Sequence, residues 1–171
     1  MENMFEKAYA FNADIGVWNV SSVTDMSDMF DVEGYIEGAF NVDIGGWDVS
    51  SVTTMRDMFK GASMFNVDIR GWDVSSVTDM DQMFYLAKTF NADIGGWNVS
   101  SVTDMGNMFE EAHAFNADIG GWNVSSVTEM EGMFHNASAF NQSLGWCLEG
   151  NTTIFTGAAC EETSCGVGCG R

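Results

Sequence analysis

A chain of 171 residues with 46% hydrophobic content has room for one ordinary domain and enough apolar material to build a core. Its 25 acidic residues against 6 basic ones give a formal charge of −19. That sign argues against nucleic acid or an anionic membrane as partner, and favours cations, basic partners or simple solubility. No window approaches the ~18 uninterrupted apolar residues of a membrane span, and Met1–Ala10 has neither the basic start nor the apolar run of a signal peptide.

In chain order, the first segment is already informative. Met1-Glu2-Asn3-Met4-Phe5 aligns with Met26-Ser27-Asp28-Met29-Phe30, so the sequence begins inside a repeat. The expectation is that further repeats lie upstream, or that a partner covers this end. Phe then marks a regular step at Phe11, Phe40, Phe65, Phe90, Phe115 and Phe140, and Trp follows it at Trp18, Trp47, Trp72, Trp97, Trp122 and Trp146. From Phe40 onward the Phe step is 25 residues; the first is longer because residues 31–39 carry an insertion, expected to bulge out as a loop, and the last Trp step is one residue shorter at Gly145.

Each unit alternates two patterns. Phe-Asn-x-Asp-Ile reads as a short strand and Gly-Gly-Trp as the turn leaving it. Ser-Ser-Val-Thr-Asp-Met-x-x-Met-Phe reads as a short helix: Ser76 serves as N-cap, Asp79 completes a capping-box-like pair, and Val77, Met80, Met83 and Phe84 share one apolar face. The expected fold is an α/β repeat solenoid, a leucine-rich-repeat-like right-handed coil with one strand and one short helix per ~25-residue unit; a mostly-β solenoid is the alternative. Residues 1–145 would hold about six units, starting mid-repeat. Residues 146–171 would form an end cap. The chain's cysteines, Cys147, Cys160, Cys165 and Cys169, all lie there, which reads as a disulfide-stapled cap made in an oxidising compartment. A zinc site competes, but there is no Cys-x-x-Cys pair and no nearby His.

The recurring Phe-Asn-x-Asp-Ile-Gly-Gly-Trp-Asp/Asn-Val-Ser-Ser-Val-Thr-Asp-Met-x-x-Met-Phe resembles the repeat of the BspA-like surface-protein family, known also as a bacterial surface-protein repeat of unknown function and abundant in algae. The likeness covers nearly all of residues 1–145. It implies a leucine-rich-repeat-like, extracellular or surface-bound protein concerned with adhesion or protein interaction. Algal members often end in a cysteine-bearing cap, which the segment from Cys147 to Cys169 resembles. The family offers no catalytic residues to carry over.

The candidate chemistry lies in columns. Asp14, Asp43, Asp68, Asp93 and Asp118 occupy one repeat position, with Ser143 in the last unit; Asn12, Asn41, Asn66, Asn91, Asn116 and Asn141 stand two residues earlier. Stacked at ~4.8 Å, such carboxylates repel one another unless turn N–H groups, Asn amides or a cation offset the charge. A structural Asn/Asp ladder is the first reading, and Ca²⁺ held by the Asp/Asn column the second. Phe and Ile cannot share a face with Asn and Asp in a regular strand, which points Asn and Asp outward.

The pairs Met26/Met29, Met55/Met58, Met80/Met83, Met105/Met108 and Met130/Met133 could hold Cu(I), but each precedes Phe on an apolar face and reads as core. Thr24, Thr53, Thr78, Thr103 and Thr128 invite an ice-binding reading, weakened by their expected place in a first helical turn. Asn19, Asn98, Asn123, Asn136 and Asn151 are candidate N-glycosylation sites; Asn141 also matches but falls in a strand expected to be buried. His113 and His135 have no nucleophile motif beside them, and no phosphate-binding loop is present. The expectation is therefore a non-enzymatic, cofactor-free, secreted or cell-surface module for adhesion, matrix or filament assembly, self-assembling through its N-terminal repeat or meeting a protein or matrix partner. The alternative is a Ca²⁺- or mineral-binding protein.

Overall fold

A computed structural model of the chain describes residues 1–32, 37–146 and 155–158. Over that span the chain winds into stacked coils, each laid on the one before. Asp25, Thr54, Asp79, Asp104 and Glu129 pair in parallel from coil to coil as isolated bridges. Beside them Thr53 N–H donates to Thr24 O, Thr78 to Thr53, Thr103 to Thr78 and Thr128 to Thr103, each at 2.8 Å.

The expected strand and helix in each unit do not form, and the α/β, leucine-rich-repeat-like coil is corrected accordingly: the described residues are turns and extended segments, whose strand-type pairing is limited to those isolated bridges. The mostly-β alternative fails for the same reason, because parallel pairing never spreads into a sheet. Backbone geometry explains the missing helix. The residue before the second Met takes a left-handed conformation, at Asp28 (φ 55°), Asp57 (54°), Gln82 (54°), Asn107 (50°) and Gly132 (65°). Four residues on, Gly61, Leu86, Glu111 and Asn136 do so again. A right-handed helix cannot pass through such residues.

Alternate N–H groups instead leave the coil. Met80, Gln82, Phe84 and Leu86 donate to Asp104, Gly106, Met108 and Glu110 of the next coil, while Met83, Tyr85 and Ala87 close tight turns onto Met80, Gln82 and Phe84. The spacing that suggested a helical face is the spacing of consecutive three-residue turns, whose apolar members all point inward. The Phe-Asn-x-Asp-Ile segment makes no strand because its coil-to-coil contact runs through a side chain, described below.

The core fills the inside of the stack. Met, Phe, Ile and Trp of each coil lie on their counterparts. Phe84 and Phe90 pack face to face at 3.9 Å, and Phe84 reaches Phe59 and Phe109 at 5.6 Å, both with nearly parallel rings. The same pair recurs at Phe30/Phe40, Phe59/Phe65, Phe109/Phe115 and Phe134/Phe140. Offset stacking of this kind adds ~0.5–1.5 kcal/mol per pair beyond area burial. Trp72, Trp97 and Trp122 stack at 6.4–6.5 Å, and their indole N–H groups donate to Ile44, Ile69 and Ile94 carbonyls of the preceding coil. The buried Met pairs are core residues, so the copper reading has no support in their placement. At the insertion, Val32 N–H donates to Lys60 O, and Ala39 N–H to Tyr9 O, so both flanks rejoin the stack; the expected bulge falls on 33–36, outside the described residues. Gly61 has φ 68° and faces the Val32 carbonyl so closely that a Cβ would collide with it.

Two substitutions test this backbone. Gln82→Gly removes a Cβ from a left-handed residue and should raise stability by up to about 1 kcal/mol, Gly132 being the natural precedent. Phe109→Ala should cost about 3–5 kcal/mol. Urea denaturation followed by Trp fluorescence reads both.

Candidate functional site

The side chains that face solvent do so in columns fixed by the corners of the coil. At the first corner Asn41 N–H donates to Asn12 Oδ1 at 2.9 Å, Asn66 to Asn41 at 3.0 Å, Asn91 to Asn66 at 2.8 Å, Asn116 to Asn91 at 2.7 Å and Asn141 to Asn116 at 2.9 Å. This is an asparagine ladder: each amide oxygen stands in for a backbone carbonyl and joins one coil to the next. The segment is exposed at Asn141, where the sequence had led us to expect burial.

The Asp column has a separate task. Asp14, Asp43, Asp68, Asp93 and Asp118 are exposed, and each Oδ1 accepts from the N–H two residues on, at Gly16, Gly45, Arg70, Gly95 and Gly120 (3.0–3.2 Å). Each carboxylate is thus a turn former. Asp68 also accepts from Arg70 Nε at 2.9 Å, and this contact holds its pKa below the usual carboxylate value. Among the described residues no group of three or more His, Cys, Asp or Glu is placed to hold a metal ion.

At the second corner Asn19, Asn98 and Asn123 are exposed, and their Oδ1 atoms accept from the N–H of Ser21, Ser100 and Ser125. Asp48 and Asp73 fill the same place; the hydroxyls of Ser50 and Ser75, with their backbone N–H groups, hold these carboxyls below the ordinary value. Asn136 differs: it is half-buried with φ 56°, and its Nδ2 donates to Glu111 Oε1 at 2.9 Å. Asn151 and Cys147, Cys160, Cys165 and Cys169 lie outside the described residues. The third corner places Ser-Val-Thr on the bridged rung, with Thr24, Thr53, Thr78, Thr103 and Thr128 exposed on an extended segment. The expected first helical turn is not there.

Two clusters were not legible in the sequence, because their members come from different coils. Arg56 Nη2 meets Asp81 Oδ2 at 2.7 Å and Arg56 Nε meets Asp57 Oδ2 at 3.3 Å, while Lys60 Nζ meets Asp57 Oδ1 at 2.9 Å. Asp57 and Asp81 are 6% and 8% exposed, which is unusual for carboxylates and makes their partners necessary. Burial pushes the Asp81 carboxyl up despite Arg56; burial, with Asp57 and Glu6 nearby, does the same to Asp28. The second cluster is an open polar hollow of about 410 Å³ lined by Asn107, Glu110, Glu131, Gly132, His135 and Thr156. His135 Nδ1 contacts Glu110 Oε1 at 2.8 Å, and His113 Nδ1 sits 2.6 Å from the Glu111 carbonyl. No Ser or Cys nucleophile lines that hollow. No helix among the described residues is long and apolar enough to cross a membrane.

A family model described as Mycoplasma protein of unknown function, DUF285, matches residues 1–76 and 67–158, and the chain belongs to that family. No curated protein and no solved structure matches the chain.

Asn91→Ala should cost about 1 kcal/mol in a urea melt, since the Asn116 N–H loses its acceptor, whereas Asp93→Asn keeps an Oδ1 acceptor and should stay within ~0.5 kcal/mol. Arg56→Ala should cost about 1–3 kcal/mol at pH 7, because the buried Asp81 loses its cationic partner while Asp57 keeps Lys60. The raised Asp81 carboxyl takes up a proton as pH falls, so the gap between variant and parent should narrow in melts near pH 4.

Proposed function

We propose that this member of the DUF285 family is a secreted or cell-surface repeat protein that serves as a structural and interaction module, in adhesion, extracellular matrix or a filament. The observation that carries this reading is the uniform stack: one backbone path repeats coil after coil, its interior is filled by the aromatic and Met core, and the residues that vary lie outside. Such an array offers a long surface whose side chains change independently of the scaffold. Binding, not catalysis, is the use it fits.

The surface location rests on the sequence: the terminal cysteines, the exposed sequons at Asn19, Asn98 and Asn123, and the likeness of the repeat to BspA-like surface proteins. An acidic chain of this charge favours basic partners. The outermost described coil supports an end-to-end contact. Phe5 and Phe11 stack at 3.9 Å and are only half-buried, and Met4 and Trp18 are 48% and 39% exposed. A second copy of the chain would find an apolar surface there.

Surface labelling tests the location. Intact source cells treated with a membrane-impermeant biotinylation reagent should yield the labelled protein, with its cysteines resistant to alkylation until reduced. Recovery only from the cell interior, with freely alkylated thiols, overturns the reading.

A further inference from the structure

The Ser-Val-Thr rung has properties that a general interaction surface does not require. Ser22 and Thr24, Ser51 and Thr53, Ser76 and Thr78, Ser101 and Thr103, and Ser126 and Thr128 are all exposed, while the Val between each pair turns inward. Two columns of hydroxyls therefore run along the stack, repeating at the ~4.8 Å separation of adjacent paired segments. The Thr hydroxyls are held in place: Thr53, Thr78, Thr103 and Thr128 Oγ1 donate to the Thr carbonyl of the preceding coil at 3.0–3.1 Å. Ser51 and Ser101 Oγ donate to Ser21 and Ser75 carbonyls at 2.8 Å. These six hydroxyls use their donors on the protein itself, and their oxygen lone pairs remain for an outer layer.

No charged residue occupies either column, in a chain with 25 acidic residues. One residue further on, Asp25, Asp79 and Asp104 are half-buried and tied by Oδ1 to the N–H groups of Ser27, Asp81 and Gly106, Thr54 is uncharged, and Glu129 alone of this position is exposed.

We propose that this face binds ice. A flexible ligand gains little from strict periodicity; a crystalline lattice is the partner whose own repeat a rigid, evenly spaced array can match. The absence of charge on the columns disfavours a mineral lattice, which carboxylates would meet better. The Phe and Trp rings from Phe40 to Trp146 are in the core, and no aromatic residue occupies the Ser-Val-Thr positions, so the rung itself offers no ring for sugars to stack on. Uncharged hydroxyls and Thr methyls are left, and water is the ligand that needs nothing more. Ordering first-layer water costs entropy, and hydroxyls already fixed by the scaffold reduce what must still be ordered. Many weak, simultaneous contacts along the stack then add, as in any multivalent attachment.

The test uses the whole purified chain. Near the melting point, in a nanolitre osmometer, it should open a gap between melting and freezing temperatures, shape the growing crystal and suppress recrystallisation at concentrations where serum albumin does not. Thr78→Lys with Thr103→Lys, in the middle of the column, should reduce the gap several-fold with an unchanged thermal melt. If the double variant melts lower, Thr78→Val with Thr103→Val keeps the β-branched shape, removes only the hydroxyls and should also weaken the effect. Gly96→Lys, at an open corner position where another coil carries Val17, should leave activity intact. Ordinary ice growth in the parent protein overturns the proposal, as does full activity in folded hydroxyl-face variants. So does retention on crystalline cellulose without any effect on ice. None of these outcomes bears on surface location, which biotinylation reads separately.

Discussion

Everything in this protein depends on backbone N–H groups that leave their own coil. In the Met-x-x-Met-Phe corner every second N–H donates to the next coil, and the intervening ones close short turns. A helix would satisfy the same groups within one unit and leave neighbouring units joined by side-chain contacts alone. Here adjacent coils are covalently consecutive and hydrogen-bonded at once, so the aromatic rings are forced into register. The left-handed residues that permit this, such as Asp57 and Gln82, are tolerated because the surrounding stack determines them.

The corners supply the remaining connections. Asn side chains carry the coil-to-coil bond where backbone pairing is missing; Asp and Asn at the other turns cap their own N–H groups. The acidic column that looked like a cation site is explained by this local need, since one oxygen of each carboxylate is already committed. Part of the negative charge is therefore a by-product of turn formation. The surface is left free to vary where no turn requires a particular residue.

The same division separates scaffold from function. The core repeats so closely that it cannot encode a specific partner, and a repeat fold leaves its use to the surface. The Thr column lies on the extended segment that follows the Ser-Ser turn, and it repeats along that surface. The sequence already showed that column; the structure moved it from an expected helical turn to an extended segment beside the bridges.

The amino-acid sequence by itself determined the period, the coil register, the inward Phe, Trp, Ile and Met, and the outward Asn and Asp, because burial follows residue chemistry and the repeat copies it. Tertiary structure decided the backbone path. An apolar residue every third or fourth position is compatible with a helix or with successive turns, and only the neighbouring coil, by accepting alternate N–H groups, selects the turns. It also decided which charges meet: Arg56 and Asp81 are far apart in the chain and become partners because stacking brings equivalent corners together. Local propensity cannot report a hydrogen bond whose acceptor lies a full coil away.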